Sequence, residues 1–172
     1  LGDVYKRQVL VSGPVSLPKP PRIKCIDVIH TKEMLAAVLA EIDSADIFVG
    51  VAAVADYRCK KESKHKISKL NTDVLQLELE RTEDILATVA ALAKRPYVVG
   101  FAAETENIIE HAKGKLTRKK LDMIVANSAV HAIGQDDNEV TVLWKDQQQL
   151  FPRLSKDKLA RSLVELIAGC VK

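Results

Sequence analysis

The sequence is poor in aromatic residues and in cysteine, and this scarcity excludes several classes of protein. Aromatic residues make up 4% of the 172 residues, and none is interleaved with the lysines of the most basic stretch, which argues against a surface for single-stranded nucleic acid. The three cysteines, Cys25, Cys59 and Cys170, are far apart in the sequence. No pair has metal-ligand spacing, and the four histidines are equally scattered, so we expect reduced thiols and no protein-held metal site.

Other absences concern membranes and the common nucleotide motifs. There is no apolar run long enough to span a bilayer and no signal-peptide pattern, so we expect a cytoplasmic protein with no membrane partner. The Gly-x-Gly-x-x-Gly and Gly-x-x-x-x-Gly-Lys-Ser/Thr fingerprints are also missing. The net charge of +3 arises from 26 basic and 23 acidic residues. This near balance gives no reason to expect a nucleic-acid partner, and any anion site must depend on local clusters of charge.

What the chain does contain is a series of apolar strand patterns. It is 47% hydrophobic, which suits a globular domain with a real core. We expect the 47–54 strand to be buried on both faces, because it is continuously apolar, and the alternating 75–80 strand to be half buried. In all, strands are predicted over residues 9–12, 23–28, 47–54, 75–80, 97–102, 123–126 and 140–144.

Amphipathic helices are predicted between these strands. Those with an apolar inner stripe cover residues 31–44, a segment after a cap at Thr82 and a segment after a cap at Ser155. A further helix over residues 106–120 is polar and rich in lysine. Strands that alternate with helices predict an α/β fold, a Rossmann-like three-layer domain with a mostly parallel sheet. In such sheets ligands bind beyond the carboxyl ends of the strands.

One candidate strand end is the stretch 50–58, which reads Gly-Val-Ala-Ala-Val-Ala-Asp-Tyr-Arg. Its small side chains would let a flat ligand approach the backbone, and Asp56 could bind ribose hydroxyls or a magnesium ion. A structural interpretation is equally compatible with the spacing: the small residues would let a helix pack closely, with Asp56 as its cap.

A lysine-rich loop follows this stretch. Flexible lysines suit phosphate, and such a loop could close over a triphosphate or an acyl-phosphate and stabilise the leaving group. Solvated basic surface is the commoner explanation for a run of this kind. The lysines of the loop are Lys60, Lys61, Lys64, Lys66 and Lys69.

Two later features could complete a nucleotide site. Phe101 lies at the end of the 97–102 strand, where its ring could stack on a base or pack in the core. Lys115 and Lys119 are four residues apart on one predicted helix face, where they could meet phosphates or simply be solvated.

Five further segments stand in series with the 50–58 stretch. They are Val-Ser-Gly-Pro-Val-Ser-Leu-Pro at 11–18, Lys-Ile-Ser-Lys at 66–69, Asp-Ile-Leu-Ala at 84–87, Arg-Pro-Tyr-Val-Val-Gly-Phe-Ala-Ala-Glu-Thr at 95–105 and Lys-Leu-Asp-Met-Ile-Val-Ala-Asn at 120–127. Together the six segments resemble the phosphopantothenate–cysteine ligase family, the synthetase domain of the bacterial bifunctional coenzyme A biosynthesis protein. The resemblance covers nearly the whole chain from Val9 onward.

The resemblance implies a two-step reaction with CTP, 4'-phosphopantothenate and cysteine as substrates and an acyl-cytidylate as intermediate. It implies Mg²⁺ bound with CTP, a homodimer, and FMN only if a decarboxylase domain is fused upstream. It assigns Lys66 to a mobile catalytic flap and Asn127 to a possible substrate contact. The CTP contacts that it implies are Gly50, Val51, Ala52, Asp56, Lys66, Glu83, Asp84, Ile85, Leu86, Phe101, Lys115 and Lys119.

The sequence departs from the family pattern at three places. Ser68 replaces a lysine of the flap, and Glu83 stands where proline is usual. Residues 1–8 do not match the family strand and are interpreted as a non-native leader. Residues 9–172 then correspond to the synthetase domain without its first strand-turn-helix, a segment that would carry an asparagine and an arginine for the substrate.

We therefore expect this chain alone to be unstable or inactive. The measurement is pyrophosphate release from CTP in the presence of phosphopantothenate and cysteine, and turnover equal to that of a full-length relative would contradict the expectation. Two other functions are compatible with the sequence, a non-catalytic nucleotide-binding module of the same fold and a basic RNA-interaction domain. Titration with CTP separates the RNA-binding alternative from the other two.

Overall fold

The computed structural model describes residues 7–61, 63, 65–67, 74–129 and 134–171. Two compact units make up the chain, Leu1–Ala37 with Ala52–Asp84 and Val38–Val51 with Ile85–Lys172. We call them the smaller and the larger unit. In chain order, the described elements are β1 (Val9–Ser12), β2 (Lys24–Asp27), α1 (Thr31–Ile42), β3 (Ile47–Gly50), β4 (Tyr57–Cys59), β5 (Leu79–Arg81), α2 (Ile85–Ala90), β6 (Tyr97–Glu104), α3 (Ile108–Arg118), β7 (Met123–Ser128), β8 (Asp137–Trp144), β9 (Gln147–Ser155) and α4 (Lys156–Cys170).

The smaller unit contains two strand pairs and the first half of α1. Strands β1 and β2 are parallel, whereas β4 and β5 form an antiparallel pair in which Tyr57 lies opposite Arg81. The start of α1 is closed by Glu33, whose carboxylate accepts the backbone N–H groups of Ile29 and His30 at 2.8 and 3.0 Å. These hydrogen bonds hold the pKa of Glu33 below its usual range.

The larger unit is built on a five-stranded sheet in the order β3-β6-β7-β8-β9. Strands β3, β6 and β7 are parallel, as predicted, and β8 and β9 continue the sheet as an antiparallel hairpin. One face packs on α4 through a cluster that includes Val99, Met123 and Leu163. Alternate strand residues point to opposite faces, so Gly100, which contacts α2, marks the other face. The sheet is therefore one layer of a three-layer α/β fold, which confirms the predicted class.

Two predicted strands are wrong in extent or burial. The strand expected over 47–54 ends at Gly50, lies at the edge of its sheet, and is followed by Val51 with 59% of its surface exposed. The strand expected over 75–80 is reduced to β5, and its leucines are exposed instead of half buried. In the 47–54 segment the chain passes from one unit to the other after Val51. The run of apolar residues therefore continues beyond the end of strand β3.

Strand β9 is absent from the sequence-based prediction. Its nine residues begin Gln-Gln-Gln, and only Phe151 among them is buried. An edge strand with one solvated face carries no clear apolar periodicity, so it is recognised only through its pairing with β8. Strands β8 and β9 meet at a tight turn in which Lys145 has a φ of 50°.

A pair of glycines brings α2 close to the larger unit's sheet. Gly50 of β3 lies directly opposite Gly100 of β6. A methyl group on Gly100 would lie 2.8 Å from Leu86 Cδ2 and 2.9 Å from Leu121 Cδ1, and one on Gly50 would lie 3.0 Å from Leu86 Cδ1. The hollow above the two glycines is therefore filled by Leu86 of α2.

Replacing Gly100 by alanine tests this packing. The added methyl meets two leucine side chains at once, so we expect Gly100→Ala to lower the free energy of unfolding by about 1–2 kcal/mol. Gly114 in α3 faces open space, so the matched control Gly114→Ala should raise it by about 0.5–1 kcal/mol. Urea denaturation measures both. Equal effects of the two substitutions would show that the glycine hollow is not tightly packed.

Candidate functional site

The carboxyl ends of the parallel strands β3, β6 and β7 lie at one edge of the larger unit's sheet. Gly50 ends β3 at this edge and Val51 follows it directly, whereas Phe101 lies within β6, three residues before that strand ends at Glu104. Leu86 covers the open side of Gly50. We call this region the carboxyl edge, and it is where a parallel sheet most often binds ligands.

Phe101 lies within β6, opposite Val125 of β7, and 36% of its surface is exposed. Its neighbour Gly100 faces α2, so the phenyl ring belongs to the opposite face of the sheet. The strand continues for three residues beyond Phe101, so this residue is not at the strand end that the sequence predicted. The ring is partly exposed, and its predicted contact with a base stays a prediction.

The first two residues of α2 use their side chains for packing. Ile85 is 8% exposed, and Leu86 fills the hollow above the glycines. A contact of Ile85 or Leu86 with a nucleotide would therefore have to involve main-chain atoms.

Lys115 is held by an acidic residue that sequence reasoning missed. Its Nζ lies 2.6 Å from Glu104 Oε1, at the end of β6, and His111 Nδ1 lies 3.4 Å from the other carboxylate oxygen. The Glu104 side chain is only 13% exposed, which makes this ion pair stronger than an ordinary surface pair. The pair joins the end of β6 to the helix that follows it, α3. Spacing in the sequence does not indicate this contact, because it depends on how the helix packs on the strand.

Lys119 lies farther along α3. It caps the C-terminal end of the helix, where its backbone N–H donates to the Lys115 carbonyl at 3.0 Å. Lys119 follows Ile108, the first residue of α3, by eleven residues, which corresponds to about 16 Å along the helix axis. Lys115 lies four residues earlier, so the two predicted phosphate lysines are at different positions along the helix.

Asn127 lines an open groove of about 870 Å³ between the start of α3 and strands β7 and β8. Arg153 of β9 also lines this groove, with Nε 3.6 Å from Asp137 Oδ1. Sequence reasoning missed Arg153 because the strand that carries it was not predicted. An amide and a guanidinium offer hydrogen-bond donors to a polar or anionic substrate.

The remaining predicted residues, Ala52, Asp56, Lys66, Glu83 and Asp84, belong to the smaller unit. Lys66 is exposed, while Lys64, Ser68 and Lys69 lie outside the described residues.

Ion pairs engage two basic residues of the same unit. Lys60 pairs with Glu78, and Arg58 pairs with Glu80 through two nitrogens, each 2.8 Å from Oε1. These contacts link the two strands β4 and β5. Lys60 is therefore engaged in an ion pair within the protein, as Lys115 is, and a phosphate-binding role for this lysine stays a prediction.

Thr82 does not cap a helix, contrary to the prediction. Helix α2 begins three residues later, and the Thr82 hydroxyl instead donates to the Ala55 carbonyl at 2.5 Å. The Thr82 backbone N–H also donates to the Asp56 carbonyl at 3.0 Å. The local signal for a cap was misleading because a tertiary contact uses the same hydroxyl.

A second cavity of about 520 Å³ lies at the opposite, amino edge of the larger unit's sheet. Asp122 there accepts two hydrogen bonds from the Arg95 guanidinium and one, at 2.7 Å, from the Val98 backbone N–H. Tyr97 and Cys170 also line it, and burial raises the pKa of the Tyr97 hydroxyl. The hydrogen bonds of Asp122 fix the starts of two strands, which is a structural role.

The described residues contain neither a cluster of metal ligands nor a membrane-spanning helix. Within them, no group of three or more His, Cys, Asp or Glu side chains is arranged to hold a metal ion. Among the helices that can be described, none has the length and apolar character needed to cross a membrane.

Comparison with models of protein families assigns most of the chain to one family. Residues 6–170 match the model of the DNA/pantothenate metabolism flavoprotein C-terminal domain. The chain belongs to this family.

Named proteins that are similar in sequence agree with this family assignment. The chain is 46% identical over 163 residues to the coenzyme A biosynthesis bifunctional protein CoaBC of Vibrio cholerae, covering 92% of the chain and 41% of the relative. The proteins of the same name from Escherichia coli K12 and Bacillus subtilis are 45% and 39% identical. The chain spans 40% and 42% of their lengths, and 92% and 96% of the chain is matched.

Solved structures agree with the family assignment. A crystal structure of the C-terminal domain of the coenzyme A biosynthesis bifunctional protein CoaBC superposes with a TM-score of 0.77 at 36% identity, covering 94% of this chain and 72% of that one. The DNA/pantothenate metabolism flavoprotein from Streptococcus pneumoniae gives a TM-score of 0.79 at 21% identity, over 95% of this chain and 81% of that one. The second match shows the shared fold alone.

Proposed function

We propose that this chain carries the CTP-dependent phosphopantothenate–cysteine ligase function of coenzyme A biosynthesis. The observation that carries the proposal is the similarity of almost the whole chain to part of proteins named for coenzyme A biosynthesis. The six family-like segments of the sequence support the same function.

The proposed reaction has two steps. The carboxylate of 4'-phosphopantothenate attacks the α-phosphate of CTP, pyrophosphate leaves, and an acyl-cytidylate forms. The amine of cysteine then attacks the acyl carbon, and CMP leaves as the amide bond forms. Such a reaction needs positioned cations and oriented substrates more than a protein nucleophile.

The carboxyl edge of the larger unit supports the nucleotide part of this proposal. Phe101 presents a partly exposed ring within β6, three residues before the strand ends at Glu104. Lys115 is tied by Glu104 to the same end of β6, so its ammonium is held close to the edge rather than moving freely in solvent. In the proposal the ring stacks on the cytosine, and Lys115 stabilises phosphate charge. Lys66, on the lysine-rich loop of the smaller unit, is proposed to stabilise charge during formation and use of the acyl-cytidylate.

The groove beside the carboxyl edge supports a substrate site. Asn127 and Arg153 both line it, and together they offer an amide and a cation to a substrate that carries amide and phosphate groups. We propose that 4'-phosphopantothenate uses this groove.

Magnesium is proposed to accompany CTP. Because no set of metal ligands occurs within the described part of the chain, phosphate and water oxygens would supply most of its coordination, as is usual for Mg²⁺. FMN is proposed only for a decarboxylase domain outside this chain.

Calorimetric titration with CTP tests the nucleotide site. We expect the chain to bind CTP, and Lys115→Met to weaken binding about tenfold, because one charge-assisted contact to phosphate is lost. Glu104 would then be left without its partner, so the double variant Glu104→Gln/Lys115→Met should recover part of that loss. Lys113 is exposed on the same helix, and Lys113→Met is the matched control. CTP binding that does not change in Lys115→Met would contradict the assignment of this lysine.

Two further measurements separate the alternative functions. In a relative that turns over CTP, substitution by alanine at the position of Lys66 that leaves CTP binding intact but stops processing of the acyl-cytidylate would support catalysis. CTP binding with no acyl-cytidylate formed by a protein that contains the whole family domain would indicate a non-catalytic nucleotide-binding module. RNA binding that weakens steeply with salt, without CTP binding, would indicate the basic RNA-interaction domain.

A homodimer is proposed from an apolar stripe of the smaller unit. Leu75, Leu77 and Leu79 are 58%, 61% and 54% exposed, and we call them the leucine stripe. Glu78 and Glu80, which alternate with them, are already engaged in ion pairs. The glutamates on the polar side of this segment therefore have ion-pair partners, whereas the leucines on its apolar side are exposed. We propose that a second copy of the chain packs against these leucines.

Analytical ultracentrifugation tests this proposal. We expect the wild-type chain to sediment as a dimer and Leu77→Ser to weaken dimerisation about tenfold or more, since a large apolar contact is lost. Val164 of α4 is exposed to a similar extent, 60%, so Val164→Ser is the control and should leave the dimer intact. A wild-type monomer at high concentration would refute the proposal.

A further inference from the structure

We propose that Thr82 is a positioning residue for the nucleotide site, because it fixes the backbone of Ala55 and Asp56. The inference rests on the proposed function and on the family resemblance, which assigns CTP contacts to Asp56 and the neighbouring Glu83. It is argued from two hydrogen bonds between segments far apart in the sequence. The Thr82 hydroxyl donates to the Ala55 carbonyl at 2.5 Å. The Thr82 backbone N–H donates to the Asp56 carbonyl at 3.0 Å.

These bonds extend the β4–β5 pair by one step. Tyr57 lies opposite Arg81 in this antiparallel pair, so Asp56 and Thr82 are the next residues to face each other. The backbone bond continues the ladder, and any residue except proline could make it. The bond to Ala55 needs a side-chain hydroxyl at this position, which serine or threonine alone can supply at this length.

The other end of the same segment is held by Arg58. Its guanidinium binds Glu80 through two nitrogens at 2.8 Å, and a third nitrogen lies 3.9 Å from Glu83 Oε2. Thr82 on one side and Arg58 on the other therefore fix the path from Ala55 to Arg58. Asp56 lies between these two anchors, so its backbone is ordered before any ligand binds.

An ordered Asp56 favours binding because the ligand does not have to immobilise the segment itself. Loss of the hydroxyl contact should therefore act on nucleotide affinity. Thr82 directly precedes Glu83 in the sequence. Its hydrogen bonds therefore link the segment at Asp56 to the segment at Glu83, the two segments to which these CTP contacts are assigned. The expected cost of removing the hydroxyl bond is about fivefold in the dissociation constant for CTP, the usual range for one hydrogen bond.

Three variants test the role in the full chain. Thr82→Val keeps the shape and the backbone bond but removes the hydroxyl, so it should raise the dissociation constant for CTP about fivefold. Thr82→Ser keeps the hydroxyl and should bind CTP within about twofold of wild type. Thr117 is exposed on α3, and Thr117→Val is the matched control, with unchanged affinity. Calorimetry gives the affinities, and urea denaturation without CTP gives the stabilities.

Each outcome decides one question. Rescue by serine, with weaker binding only in Thr82→Val, supports a positioning role, because a purely structural role would show in the unfolding transition of the ligand-free protein. Equal CTP affinity of wild type and Thr82→Val overturns the inference but leaves the proposed function standing. Absence of CTP binding by the wild type overturns the proposed function and the inference with it.

Discussion

The contact of Leu86 with Gly50 and Gly100 determines how the parallel part of the larger unit is assembled. These glycines are neighbours on β3 and β6, and their missing side chains leave room for one leucine of α2. Without that space the helix would have to stand farther from the sheet, since close-packed interiors tolerate little extra volume. The carboxyl end of β3, the middle of β6 and the start of α2 are thereby set in one place.

Polar contacts then fix individual side chains and backbone segments on this frame. In the larger unit, Glu104 at the end of β6 holds Lys115 of α3 by a partly buried ion pair. In the smaller unit, Thr82 holds the backbone before Asp56. Both contacts engage groups to which the proposed function assigns nucleotide binding. Order of this kind before binding is what a site for a charged, flexible triphosphate requires.

The sequence predicted best what buried apolar side chains determine. Strands β6 and β7 and helix α4 were predicted because their apolar residues are buried in one core, as Val99, Met123 and Leu163 are. Strand β9 was missed because its exposed residues depend on pairing with β8 for their conformation. Strand β4, at the junction of the 50–58 stretch and the lysine-rich loop, was missed for the same reason. The apolar run through Val51 was extended too far because hydrophobicity alone does not show where a chain leaves a sheet.

The same distinction applies to the residues of the candidate site. Phe101 and Lys115 could be proposed from their residue types and positions, but Glu104, His111 and Arg153 could not. Their contacts join neighbouring elements of the chain, but which side chains meet depends on how those elements pack. Gly50 illustrates an intermediate case: its strand-end position was recognised, while its packing against Leu86 was visible only in three dimensions.

The central claim is that CTP binds at the carboxyl edge of the larger unit, and NMR titration of the isotope-labelled chain with CTP tests it most directly. The account predicts chemical-shift changes for the backbone amides of Phe101 to Glu104 and of Lys115. Amides at the amino edge, those of Tyr97, Asp122 and Cys170, should remain unchanged. Shifts confined to the amino edge, or none at saturating CTP, would contradict the account.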